Sequence, residues 1–121
     1  MPKPSAHERR KFERRNLSYY LPILDNDSQQ VIGHLVDISP IGLMIDCKRN
    51  IPSGQNFNLR LDLMENVAGK AFIEFVARCR WCRSDNIQPF LYNAGFEIVT
   101  ISADTLEIVK KIAEKYGASN R

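Results

Sequence analysis

Nowhere in these 121 residues does an apolar run approach the ~20 residues needed to cross a bilayer as a helix. The basic N-terminus is followed by no apolar segment of about 7–15 residues and no small-residue cleavage site, so it does not read as a secretory signal. Cysteine is scarce, with only Cys47, Cys79 and Cys82. An odd count in a chain long enough to build a core argues for reduced thiols in a cytoplasm rather than a disulfide framework. Phosphate-cradling GxxxxGK[ST] and GxGxxG loops are missing, as is any glycine-framed nucleophile near the two histidines, His7 and His34. No catalytic constellation can be assembled, so the chain is not expected to be an enzyme. His34 alternates with apolar neighbours and reads as a solvent-facing strand residue.

The positive charge is confined. Residues 1–15 hold six Lys and Arg against two Glu, whereas the remaining 106 residues hold 11 basic and 12 acidic side chains. A net +3 chain with all of its excess in one arm suits an anionic partner better than a uniformly basic surface would. Residues 1–16 have two prolines, a dense charge run and little to bury, and are expected to form a flexible arm preceding a domain over 17–121.

Within that domain the hydrophobic pattern has a period of two. Strands are predicted at Leu17–Leu24, with Pro22 favouring an edge or bulge, and at Val31–Ile38, Leu43–Cys47 and Phe57–Met64. A long strand over Ile73–Cys82 and a last one over Leu91–Val99, loosened by Gly95, complete the set. Strict alternation puts Ile73, Phe75, Ala77, Cys79 and Trp81 on one face. It also sends Cys79 and Cys82 to opposite faces, so this CxxC is not expected to hold a metal. From Ser102 the period changes to that of a helix, with Leu106, Val109, Ile112, Ala113 and Tyr116 forming one stripe. Ser102 or Asp104 can cap it, Glu107 can complete a box with Asp104, and Gly117 suits its end. The expected fold is mainly β: a small six-stranded antiparallel barrel with a C-terminal helix.

Two segments remain. Arg10 and Arg14 frame an RxxxR within Arg9–Arg15, and Asp37-Ile38-Ser39-Pro40-Ile41-Gly42 is a DxSxxG between the second and third predicted strands. Each has a plain reading: a terminal charge run is usually solvated, and DxSxxG is a common turn in which glycine supplies a positive φ. Together they can form one anion site. Arginine pairs bidentately with phosphate and with the O6/N7 edge of guanine, and it can stack on a purine. A neighbouring carboxylate can accept from guanine's ring N–H and amino group.

This pair of motifs resembles the signature of the PilZ domain, a receptor domain for the bacterial second messenger cyclic di-GMP. The likeness runs over about residues 8–116 and includes Arg80-Trp81, Gly95-Phe96-Glu97 and the closing helix. The resemblance implies a barrel whose arginine arm folds over the ligand, with Arg10 and Arg14 gripping guanine and phosphate. Asp37 and Ser39 would contact guanine and hold the arm, Gly42 would leave room, and Arg9 would add a contact. No further cofactor and no metal are implied. Trp81 reads first as core; yet it ends its face beside Arg80 and Arg83, where an indole can stack on guanine. The implied function is a receptor or adaptor that passes the signal to a downstream protein. A nucleic-acid-binding barrel using the basic arm is the alternative, weakened by the near-neutral barrel, and a ligand-independent interaction module is a third.

Overall fold

The structure, a computed structural model, describes residues 21–67 and 69–116. Six strands form the barrel: β1 (Pro22–Asp25), β2 (Gln30–Ser39), β3 (Gly42–Cys47), β4 (Asn56–Val67), β5 (Lys70–Ser84) and β6 (Tyr92–Thr100). The helix α1 (Ala103–Tyr116) comes after them. Every pairing is antiparallel and the order β1-β2-β3-β6-β5-β4 closes on itself. Closure removes the free edges that a six-stranded sheet would otherwise expose. The barrel and terminal helix are as expected. Pro22 sits at the first position of β1, where its missing N–H costs least, and the register shifts between Ile23 and Leu24.

Inward-facing Ile23, Leu35, Ile45, Leu59, Leu61, Phe75 and Phe96 fill the barrel, with Phe57 packed edge-on against Phe96 at 5.9 Å between centroids. One mouth is closed by α1, whose Ile108, Val109, Ile112 and Ala113 join the same core. The helix packs mainly on β2, then β5. It starts one residue before Asp104 because Ser102 is the cap: its Oγ accepts from Thr105 N at 3.1 Å. The expected Asp104–Glu107 box does not form, and Glu107 instead accepts from Lys110 Nζ at 3.2 Å. No helix among the described residues is long and apolar enough to cross a membrane.

Of the register shifts in the barrel, two re-aim residues singled out from the sequence. Between Leu35 and Asp37 the β2–β3 register shifts by one residue, and between Cys79 and Trp81 the β5–β6 register does the same. These are β-bulges, in which one extra residue re-aims every side chain beyond it. Val36 is the extra residue on β2, so Leu35 and Ile38 both face inward while Asp37 faces out. On β5 the extra residue is Arg80, so Cys79 and Cys82 both face the core and Trp81 turns outward.

Candidate functional site

The outer surface of β2-β3-β6-β5 is organised in cross-strand rows. One row runs Asp37–Met44–Gly95–Trp81, the next toward the β2–β3 turn runs Ser39–Gly42–Glu97–Arg78, and on the other side lies His34–Asp46–Asn93–Arg83. The two bulges flank the β3–β6 pair and put Asp37 and Trp81 at opposite ends of the middle row. Between them lies a hollow of about 280 Å³, walled by Asp37, Ser39, Arg80 and Trp81 and floored by Met44 and Gly95. A larger hollow of about 770 Å³ lies between the β4–β5 hairpin and the start of α1, but it contains none of the motif residues.

Trp81 is therefore not core, contrary to the alternation. The bulge at Arg80 rotates it out, and it lies half-buried across Gly95. A Cβ on Gly95 would overlap indole atoms Nε1, Cε2 and Cζ2, so the glycine is what lets the ring rest on the backbone. The Arg83 guanidinium sits 4.4 Å from the centroid of the indole. Arg80, at the rim, pairs with Glu97 through Nη1–Oε1 at 2.9 Å; both are more than half exposed, so the pair contributes little and is free to exchange.

The DxSxxG segment forms the tight β2–β3 turn. Asp37 Oδ1 accepts from Ile38 N at 2.9 Å, and the Ser39 hydroxyl accepts from Ile41 N at 3.3 Å and donates to Gly42 O at 3.4 Å. Ser39 is thus spent largely on shaping the turn. The expected reason for Gly42, a positive φ, does not hold: among the described residues only Gln29, Gly54 and Gly69 have one. Gly42 is needed because a Cβ there would overlap the Phe96 carbonyl oxygen of the adjoining β6. His34 lies in the outward row as expected, half-buried and in register with Asp46. Arg9, Arg10 and Arg14 lie outside the described residues.

The cysteines also depart from the alternation. Because of the Arg80 bulge, Cys79 and Cys82 share the inner side of β5 and meet at the backbone of Ile51. Its N–H donates to Cys82 Sγ at 3.3 Å, and its carbonyl accepts from Cys79 Sγ at 3.8 Å. Burial, with Cys82 alongside, pushes the Cys47 thiol up to about 12, and burial raises Cys79 as well. Such thiols stay protonated and unreactive. No group of His, Cys, Asp or Glu suited to a metal ion occurs among the described residues.

Sequence reasoning missed Met44 and the purpose of Gly95. A signal was present at Arg80-Trp81-Cys82, where a charged residue, an aromatic and an apolar residue stand side by side and two phases of alternation meet.

The PilZ domain family model matches residues 8–115. No curated protein matches the chain. Among solved structures, that of Bacillus subtilis inhibitor of motility (MotI/DgrA) is similar, with a TM-score of 0.62 and 18% identity. The match covers 78% of this chain and 44% of that one, so this chain spans less than half of that structure's length, and the likeness concerns the fold. With the family model spanning nearly the whole barrel, its helix and the arginine motif, the chain belongs to the PilZ domain family, a family of cyclic di-GMP receptors.

Proposed function

We propose that this chain is itself a cyclic di-GMP receptor that binds a guanine over the Met44–Gly95 floor, between Asp37 and Trp81. The carrying observation is that Asp37 and Trp81, 44 positions apart in sequence, are turned outward by separate bulges and frame one hollow. The hollow is smaller than the ~300–1,000 Å³ that encloses a whole small ligand. It suits a base, leaving the phosphates and second base to other groups. Arg10 and Arg14, with Arg9 beside them, are the donors for those groups, and Ser39 and Gly42 hold the turn against which they close. Ordering of the arm by ligand changes the surface offered to a downstream protein, which acts as the partner. A nucleic-acid role has less support, because carboxylates of Asp37 and Glu97 lie in the rows that would meet a phosphate backbone.

The test is calorimetry with cyclic di-GMP, GMP and a short DNA duplex at two salt concentrations. Cyclic di-GMP is expected to bind, with Arg14→Ala and Asp37→Ala each weakening it about ten- to hundred-fold, the ~1.5–3 kcal/mol of a hydrogen bond to a charged group. Tight, salt-sensitive DNA binding without heat from cyclic di-GMP overturns the reading. Wild-type affinity in both variants overturns the site.

A further inference from the structure

Two cations beside the hollow belong to neither motif: Arg80 on its wall and Arg83 in the adjoining row. Arg83 faces outward at the end of β5, in register with Asn93, and is exposed. Among the described residues it forms no salt bridge or hydrogen bond, and its contact there is the Trp81 ring. The indole has one side against Gly95, and the Arg83 guanidinium lies over the ring at 4.4 Å. Resting on the receptor reading above, we propose that Arg83 is a further ligand contact that occupies the stacking face of Trp81 in the free protein and exchanges places with a guanine.

The exchange rests on three properties. A guanidinium and a purine are both flat and cannot occupy the same ring face together. A base stacked on an aromatic ring is held more strongly than an exposed guanidinium is, so the base wins the face. The displaced Arg83 keeps its five N–H donors, and the neighbouring dianionic ligand supplies phosphate oxygens and a guanine O6/N7 edge that match that fork. Arg83 therefore keeps the indole covered when no ligand is present and holds the ligand's edge when one is. Arg80 lies on the same rim but differs: its contact is the exchangeable pair with Glu97, whereas Arg83 lies over the indole.

Side-chain NMR and calorimetry on the intact chain test this. Arg83 side-chain protons, assigned by their loss in Arg83→Met, are expected upfield in the free protein from the indole ring current. They should move downfield at saturation with cyclic di-GMP. Arg83→Met removes an exposed group with no ion pair among the described residues, so it should fold normally, and it should bind cyclic di-GMP about ten-fold more weakly. If the wild type binds while Arg83→Met binds equally well, or if the Arg83 resonances stay upfield at saturation, the exchange is wrong and the receptor reading stands. If the wild type gives no heat with cyclic di-GMP, both fall.

Discussion

Two glycines on neighbouring strands do different work, and substitution separates them. At Gly42 an added methyl meets the Phe96 carbonyl oxygen, which belongs to a strand fixed on both sides by hydrogen-bonded neighbours. Gly42→Ala should therefore cost about 1–3 kcal/mol of stability, as overpacking against a rigid neighbour does. At Gly95 the methyl meets a side chain that can swing away. Gly95→Ala should cost less stability but lift Trp81 off the sheet. Trp81 is the only tryptophan, so its emission should shift to the red, and cyclic di-GMP should bind more weakly. Urea unfolding and fluorescence of the two variants check the contrast; a larger stability loss at Gly95 would contradict it. The DxSxxG glycine was legible as a requirement, but its cause was not. Sequence suggests a turn with positive φ, whereas the real constraint is the approach of a strand more than fifty residues away.

At the scale of elements, the decisive features are the bulges at Val36 and Arg80. Period-two patterning located β2 to β6 within three residues at each end and the end of β1 within one, because burial of one face imposes it along each strand; the predicted start of the first strand, residues 17–20, lies outside the described residues. Assuming strict alternation hides a bulge, since one extra residue merely exchanges faces for the rest of the strand, and the phase change at Arg80-Trp81-Cys82 is the trace it leaves on β5. Alternation consequently puts Trp81 and Cys82 on the wrong sides. The helix shows a milder version of the same limit. Both Ser102 and Asp104 have capping side chains, and packing of Ile108, Val109 and Ile112 into the barrel mouth decides the phase that makes Ser102 the cap. Ser102→Ala should cost about 1 kcal/mol, whereas Asp104→Ala should cost less; thermal unfolding of both variants measures the difference.

For the molecule as a whole, alkaline stability should depend on the buried thiol of Cys47, which lies beside Cys82. Cys47 has an ordinary value of 9.0 and is raised to about 12 in the folded chain, so folding favours its protonated form. Its contribution is complete below about pH 9 and is lost progressively as the pH rises toward 12, because the unfolded chain releases that proton first. Urea midpoints at pH 8 and pH 10.5 should therefore fall further in the wild type than in Cys47→Ala, and an equal fall in both would contradict the assignment. By itself the sequence determined the barrel, its terminal helix, the segregation of positive charge into the first fifteen residues and the turn at Asp37, Ser39 and Gly42. These arise from local periodicity, composition and spacing, which a linear chain displays directly. Only the tertiary structure decided which way Asp37 and Trp81 face, why Gly42 and Gly95 lack side chains, and that Arg83 covers the indole. Each depends on the register between strands distant in sequence, a property of paired backbones that no single strand's pattern contains.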